Sequence, residues 1–162
     1  MHYIKQLLQA VTITCLFSWA SALSAMAIEE FLTVEPDRIS IDGIGLLDNY
    51  SQHRNLSCTP PFKNHALNTR KRICRSENQN SVAVEITSTD RIVSLTLMEF
   101  DVNELELVEG QLEALSCDKT SNETFTSYIC QQFNIVVERQ SYDQSTYTLQ
   151  LCTSGYCDDL KG

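Results

Sequence analysis

Apolar and polar residues alternate in four segments of the chain, which indicates β-strands rather than helices. The segments are rich in β-branched residues, and short polar turns join them in two pairs. Their bounds are residues 81–86, 91–100, 128–139 and 146–152. The same series of features leads into each pair of strands along the chain: Leu-Ser-Cys, a polar segment and Ile-Cys. The chain is therefore predicted to repeat one unit, over about residues 38–100 and again over about residues 101–152.

One segment has the apolar spacing of an amphipathic helix. It starts at Asp101, which is expected to form a capping box with Glu104. In a capping box, each side chain accepts a hydrogen bond from the other residue's backbone N–H. Apolar residues then recur every three or four positions, at Leu105, Val108, Leu112 and Leu115. Gly110 opposes helix formation, and we expect it to mark close packing by a neighbouring element. In the first copy, a shorter helix is predicted within residues 46–56.

This pattern predicts an α+β fold made of two tandem helix-strand-strand units. A two-stranded hairpin cannot bury its own apolar face. The two hairpins are therefore expected to join into one antiparallel sheet, of four or five strands, that is covered by helices and held by disulfides. Residues 62–72 and 118–127 are predicted to be polar loops. Since no linker rich in Gly, Pro or Ser separates the copies, we expect residues 28–162 to form a single disulfide-rich domain.

Residues 1–27 are typical of a secretory signal peptide. Lys5 supplies a positive charge, residues 7–23 are mostly apolar, and a small-x-small cleavage site ends at Ala27. The alternatives are an uncleaved membrane anchor, which the polar residues within the apolar segment oppose, and a lipid anchor on Cys15. Cleavage after Ala27 predicts a periplasmic or secreted protein without a membrane anchor.

Six cysteines remain after the leader, and this even number indicates three disulfides formed in an oxidising compartment. The repeat narrows the choice of pairing, because equivalent cysteines in two copies are expected to bond in the same way. The predicted pairs are Cys58 with Cys74, Cys117 with Cys130, and Cys152 with Cys157. A zinc site is the alternative, but the chain has no Cys-x-x-Cys motif to supply its ligands. No metal or other cofactor is predicted.

The chain is acidic, with 12 basic residues, 21 acidic residues and a formal net charge of −9. Nucleic acids and anionic lipids bind to positively charged surfaces, so this charge argues against both as partners. Five basic residues are concentrated in and beside the first disulfide loop: Lys63, Arg70, Lys71, Arg72 and Arg75. A loop held by a disulfide presents its side chains in a fixed arrangement, so these five residues are candidates for binding a partner. A plain solvated loop is the alternative interpretation.

The predicted helix carries a row of acidic residues on one side. Glu106, Glu109 and Glu113 are spaced by three and four residues, so they share the solvent side of the helix. We interpret this row either as a solvated surface or as a docking face for a basic partner. A catalytic pair of carboxylates needs one carboxyl in an apolar pocket, which an open helix face does not supply.

The sequence contains no set of residues that is typical of an enzyme. The six cysteines are assigned to disulfides, and His53 and His65 lie in polar surroundings that are typical of exposed histidines. Gly-x-Ser-x-Gly, glycine-rich phosphate-loop and His-Glu-x-x-His motifs are absent from the sequence. We therefore expect a protein without enzymatic activity.

Two features are shared with known protein families. They are the segment Gly43-Ile44-Gly45-Leu46 before the first predicted helix and the paired cysteines of each copy. With these features, the tandem units over about residues 40–152 resemble the beta-lactamase-inhibitor-protein-like folds. Either unit alone resembles the small outer-membrane assembly lipoproteins of the SmpA/OmlA family, although Cys15 lacks their acylation motif. The first resemblance implies a protein that inhibits another protein.

Together these observations predict an exported, non-enzymatic module that binds another protein. The expected role is that of an inhibitor of an extracytoplasmic hydrolase, or of an immunity factor against one. Many bacterial cell-wall hydrolases are basic, and an acidic inhibitor would be attracted to them electrostatically. A basic hydrolase is therefore the expected partner. A structural or assembly component of the cell envelope is the alternative.

Overall fold

The computed structural model describes residues 31–35, 38–140 and 145–159 of the chain. The predicted signal peptide, residues 1–27, lies outside these ranges. Among the described residues, no helix combines the length and the apolar content needed to cross a membrane.

Most of the described chain consists of antiparallel β-strands. In chain order they are β1 (Leu32–Val34), β2 (Ile39–Ile41), β3 (Ile44–Gly45), β4 (Ser57–Cys58), β5 (Phe62–Asn64), β6 (Thr69–Arg75), β7 (Ser81–Thr87), β8 (Ile92–Asp101), β9 (Asp118–Ser121), β10 (Phe125–Ile129), β11 (Phe133–Arg139) and β12 (Thr146–Thr153). Strands β1 to β3 form a separate sheet, the small sheet. The other nine strands form the main sheet, in the order β4–β6–β7–β8–β12–β11–β10–β9, and β5 also pairs with β6.

The described residues also form two α-helices and one 3-10 helix. They are α1 (Val102–Glu113), α2 (Ser154–Asp159) and the 3-10 helix Tyr50–His53. The predicted capping box at the start of α1 is confirmed. The Asp101 carboxylate accepts hydrogen bonds from the backbone N–H groups of Asn103 and Glu104, and the Glu104 carboxylate accepts one from the Asp101 N–H. The expectation for Gly110 is wrong, because a Cβ atom at this position would meet only open space.

The core lies between one face of the main sheet and a layer formed by the small sheet and α1. Since successive side chains in a strand point to opposite faces, every second residue of the central strands enters this core. The main sheet contributes Val82, Val84, Leu95, Leu97, Leu149 and Leu151. The layer opposite contributes Ile39, Ile41, Ile44, Val108 and Leu112. Burial of each such aliphatic side chain stabilises the fold by about 1.5–3 kcal/mol.

The two halves of the main sheet meet at strands β8 and β12 in a symmetrical arrangement. Leu95 lies opposite Leu151, and Leu97 lies opposite Leu149. In the two sequence copies, Leu95 corresponds to Leu149 and Leu97 corresponds to Leu151. Leu95 therefore faces the counterpart of Leu97, and Leu97 faces the counterpart of Leu95. A two-fold axis through the centre of the sheet would require this arrangement. The strand order outward from this junction, β7 then β6 on one side and β11 then β10 on the other, follows the same symmetry.

The predicted α+β class is wrong, because most of the described chain is β-strand and its two α-helices cover only parts of the main sheet. The first copy has no α-helix, since residues 46–56 form turns, a bridge and the 3-10 helix. Their few apolar residues lack the regular spacing that would give a helix a buried stripe.

Two segments that were predicted as loops form hairpins. Residues 62–72 contain β5 and the first part of β6, and residues 118–127 contain β9 and the first part of β10. The single strand predicted over residues 128–139 is likewise the end of β10, a turn and β11. These outer strands are largely polar because they lie near exposed edges, where a strand needs no continuous apolar face.

All three predicted disulfides are confirmed. Cys58 and Cys74 lie directly opposite each other on β4 and β6, with their Cα atoms 4.0 Å apart. The Cα atoms of the second pair, Cys117 and Cys130, are 4.6 Å apart, and those of the third pair, Cys152 and Cys157, are 5.8 Å apart. Three disulfides are typical of proteins that fold in an oxidising, extracytoplasmic compartment.

Candidate functional site

The face of the main sheet that points away from α1 and the small sheet is here called the open face. Register and side-chain alternation arrange its residues in rows that cross the strands. The middle row consists of Ile73, Ala83, Thr96, Gln150, Val136 and Ser127. The second row, which crosses an irregularity in the β8–β12 pairing, consists of Arg75, Ser81, Met98, Thr148, Glu138 and Phe125. These two rows place residues from six strands side by side.

Exposed apolar side chains are concentrated on the open face. Of the eight large apolar side chains that are exposed in the described residues, five lie on this face: Phe62, Ile73, Met98, Phe125 and Ile129. The other three are Leu47, Val102 and Leu107. Exposed apolar surface that is collected on one face is typical of sites that bind other proteins. The sequence pattern does not predict this cluster, because the polar residues of β6 and β10 are typical of loops over much of their length.

A depression surrounds Ile73 at the β6 end of the open face. One part, of about 450 Å³, is lined by Ile73, Gln79, Asn80, Ser81, Met98 and Glu99. A second part, of about 320 Å³, shares Ile73 and Ser81 and extends along β4 and the end of β6 to Arg75. The depression therefore has an apolar floor and a polar rim that includes a guanidinium group.

Helix α2 covers another part of the open face and is held there by a buried polar cluster. The Glu85 carboxylate accepts hydrogen bonds from the Thr69 hydroxyl and, at 3.3 Å, from the Asn64 amide. Tyr156 of α2 bonds to the same carboxylate through its phenol group. Burial raises the pKa of the Tyr156 phenol, and the adjacent Glu85 carboxylate raises it further. Because Tyr156 and the Cys152–Cys157 disulfide are both buried, α2 forms a fixed wall beside the middle row.

The five basic candidate residues do not form one surface. Their segment is the β5–β6 hairpin and the end of β6, so alternation directs their side chains to both faces of the sheet. Lys71 and Arg75 lie on the open face. Lys63, Arg70 and Arg72 lie on the opposite face, where the Arg72 guanidinium stacks over the Tyr50 ring at 5.5 Å and Arg70 lies 4.0 Å from Asp90.

The acidic candidate residues are remote from the open face, because α1 packs on the other side of the main sheet. Glu106 is exposed, and Glu109 lines a cavity of about 110 Å³ between α1 and the β9–β10 turn. Glu113 forms an ion pair with Lys119 at 2.9 Å. The hydrogen bond to Glu113 raises the pKa of the Lys119 ammonium group. The basic and acidic candidates are therefore not brought together in one site.

The two histidines have different surroundings. His53 is partly buried, and its Nε2 atom lies 3.1 Å from the Asp48 carboxylate, which also accepts hydrogen bonds from Arg38 and from the Gly45 N–H. Partial burial raises the pKa of Asp48, but the hydrogen bonds from Gly45, Arg38 and His53 together outweigh it and hold that pKa below its usual value. His65 is exposed at the turn of the β5–β6 hairpin. In the described part of the chain, no group of three His, Cys, Asp or Glu residues could hold a metal ion.

The edges of the main sheet are poorly suited to pairing with another strand. On one edge, β5 has three residues and follows Pro60 and Pro61, which have no backbone N–H to donate. On the other edge, β9 has four residues and carries the charged residues Asp118 and Lys119. Short, charged or proline-flanked edges oppose strand addition. A partner is therefore more easily accommodated by the open face than by an edge.

Comparisons of the chain with protein-family models, curated proteins and solved structures find no match. The resemblance to the beta-lactamase-inhibitor-protein-like folds and to the SmpA/OmlA family therefore stays a prediction. The function is therefore inferred from the chemistry of the open face.

Proposed function

We propose that this protein is an exported, non-enzymatic module that binds another protein through its open face. In this proposal it acts in the periplasm or outside the cell, as an inhibitor of an extracytoplasmic hydrolase or as an immunity factor against one. The observation that carries the proposal is the collection of five exposed apolar side chains on one face of the main sheet.

The shape and composition of the open face favour a protein as the partner. Adjacent strands lie about 4.8 Å apart, so the distance from β6 to β10 is roughly 24 Å. Over this width, apolar residues such as Ile73, Met98 and Phe125 alternate with uncharged polar residues such as Thr96 and Gln150. An apolar centre mixed with hydrogen-bonding groups is typical of protein interfaces. A small-molecule site would instead be a concave pocket that encloses its ligand.

Electrostatics favour a basic partner. The formal net charge of −9 attracts cationic proteins over distances of about 10 Å at moderate salt, which raises the rate of association. The acidic residues of α1, Glu106 and Glu109, contribute to this attraction from outside the proposed contact surface. Added salt is therefore expected to slow association more than it weakens the contact itself.

Binding to a panel of basic extracytoplasmic hydrolases tests the proposal. The purified mature protein is titrated into each enzyme, and residual hydrolysis and the dissociation constant are measured. Ile73→Asp and Met98→Asp place a charge on the open face and are each expected to weaken binding at least tenfold. Leu107→Asp is the matched control, since Leu107 and Ile73 are both 44% exposed but Leu107 lies on α1.

Two outcomes would reject the proposal. One is that Leu107→Asp abolishes binding while Ile73→Asp and Met98→Asp leave it unchanged, which would place the contact on α1. The other is that no enzyme in the panel is inhibited, even at a large excess of the protein. A stable complex with membrane proteins after gentle detergent extraction would then favour an envelope assembly component.

A further inference from the structure

The uncovered part of the open face is a strip bounded by α2 along one side. It consists of the middle and second rows, which cross β6, β7, β8, β12, β11 and β10. Rows on one face of a sheet are about 7 Å apart, so the two rows and their side chains give a strip roughly 10 Å wide. Helix α2 is fixed on the next row, where Glu85, Ser94 and Asn134 are buried.

Between Arg75 and Glu138 the two rows carry no charged residue, and their exposed apolar side chains are spread along the strip. Glu99 borders the strip at the depression around Ile73. Ile73 lies near the β6 end, Met98 near the centre and Phe125 near the β10 end. Thr96 and Gln150, which are not fully buried, lie between them and supply hydrogen-bonding groups. A single peptide segment can therefore contact apolar groups along the whole strip without burying a charge in the middle.

The two ends of the strip carry opposite charges. Arg75 lies at the β6 end, and Glu138 lies near the other end, on β11 beside Phe125. Both side chains are exposed, and neither forms an ion pair with another described residue. In the neighbouring row, Lys71 lies on β6 and Asp118 on β9, and the buried Glu85 of β7 lies opposite Lys71. Within the two rows of the strip, a ligand therefore meets the positive charge of Arg75 at one end and the negative charge of Glu138 near the other.

We propose that the strip seats one continuous segment of a partner protein, oriented by charge. The segment places an acidic residue at Arg75, apolar residues against Met98 and the rest of the floor, and a basic residue at Glu138. A length of roughly 24 Å corresponds to about 7 residues in extended conformation or about 16 residues in a helix. This inference rests on the proposed function, because it specifies which part of the partner occupies the open face.

Selection from a phage-displayed library of random 16-residue peptides tests the proposal. The library is panned on the wild-type mature protein, and enriched peptides are synthesised together with versions in which acidic and basic residues are exchanged. Dissociation constants of both versions are measured for the wild type and for the double variant Arg75→Glu/Glu138→Arg. Thermal unfolding of each variant verifies that these exposed substitutions leave the fold intact.

The enriched peptides are expected to have an apolar centre between an acidic and a basic end. The wild type should bind the selected version about tenfold more tightly than the exchanged version, and the double variant should reverse this preference. Met98→Asp should weaken both at least tenfold, while Leu107→Asp should have no effect. Three results would each overturn the proposal. They are equal binding of both peptide versions to both proteins, peptide binding that Met98→Asp does not weaken, and a selection that enriches no peptide.

A second copy of this chain on the strip would also overturn the proposal, and sedimentation would reveal it as a wild-type dimer that Met98→Asp dissociates. The outcomes distinguish this inference from the proposed function. If a hydrolase is inhibited through the open face but the peptides show no charge order, only the inference about the segment fails. If the peptides behave as expected and no hydrolase is inhibited, the inhibitor role fails while the strip remains a peptide-binding site.

Discussion

Thr96 lies directly opposite Gln150 at the centre of the main sheet, where β8 meets β12. The two residues occupy equivalent positions in the two sequence copies, between Leu95 and Leu97 in one and between Leu149 and Leu151 in the other. Their pairing marks the axis that relates the two halves of the sheet. The leucines on either side of this axis are therefore equivalent in their strand pairing.

The first prediction concerns the leucines beside the axis. Leu95→Ala and Leu149→Ala should each lower the free energy of unfolding by about 2–5 kcal/mol, because each removes a fully buried side chain and leaves a cavity. Both losses should fall in this range, since each leucine faces another buried leucine across the β8–β12 pair. Urea unfolding of both variants measures the losses. Leu107→Ala, at an exposed position, should change the stability by less than about 1 kcal/mol. A loss in either buried variant no larger than that of Leu107→Ala would contradict the placement of these leucines in the core.

The second prediction concerns the contact that holds α2. Tyr156→Phe removes the phenol hydroxyl that bonds to the buried Glu85 carboxylate, so it should lower the free energy of unfolding at neutral pH by about 1–3 kcal/mol. The stability of the wild type should also fall at high pH. Burial and then Glu85 raise the pKa of Tyr156 in the folded state above the value of 10.0 that it has when unfolded. The folded protein therefore binds this proton more tightly, and the stabilisation is complete below pH 10 and decreases as the pH rises further.

Chemical denaturation between pH 8 and about pH 11 tests this dependence, since ordinary tyrosines titrate near pH 10. The wild type should lose more stability over this interval than Tyr156→Phe, and the two curves should converge at the alkaline end. Parallel curves would show that the Tyr156 phenol does not contribute to the alkaline dependence.

The third prediction concerns Asp48 and acid stability. Its carboxylate forms hydrogen bonds with Arg38, the Gly45 N–H and His53. The pKa of Asp48 is lowered because these hydrogen bonds outweigh the effect of partial burial. Since the folded pKa lies below the unfolded value of 3.8, the carboxylate stabilises the fold above that pH, and the contribution is lost as the pH falls through the folded pKa. Asp48→Asn should therefore be less stable than the wild type at pH 7, and the difference should shrink towards pH 3.

Urea unfolding at pH 7, 5 and 3 measures this difference. Glu106→Gln is the control, because Glu106 is exposed on α1 and its substitution should not change the stability measurably. If the deficit of Asp48→Asn is the same at pH 3 as at pH 7, the charge of Asp48 does not stabilise the fold.

The fourth prediction contrasts two glycines. Gly110→Ala should raise the free energy of unfolding by about 0.5–1 kcal/mol, because alanine favours the helix and its Cβ would meet only open space. Gly45→Ala should lower it, because a Cβ there would lie 2.9 Å from both Asp48 carboxylate oxygens and from Nε of Arg38. Thermal unfolding of the two variants should therefore shift in opposite directions. A loss of stability in Gly110→Ala would mean that α1 is packed more tightly at that point.

Several features of the fold follow from short stretches of sequence. The capping box of Asp101 and Glu104 and the stripe through Val108 and Leu112 mark α1, because capping and helical spacing depend on residues within a few positions of one another. Strands β7 and β8 were recognised by their alternation, and the three disulfides by the order of the cysteines in the two copies. The charge of the chain is likewise a property of composition alone.

Local sequence patterns are thus sufficient to predict the helix α1, the central strands and the pairing of the cysteines. The folded chain was needed to show that β5, β6, β9 and β10 extend one sheet and that the first copy has no α-helix. The open face also belongs to the tertiary structure, because Ile73 and Phe125 come to the same surface only through the register of six paired strands. Hydrogen bonds to neighbouring strands stabilise polar edge segments whatever their apolar pattern, so the local sequence carries little trace of them.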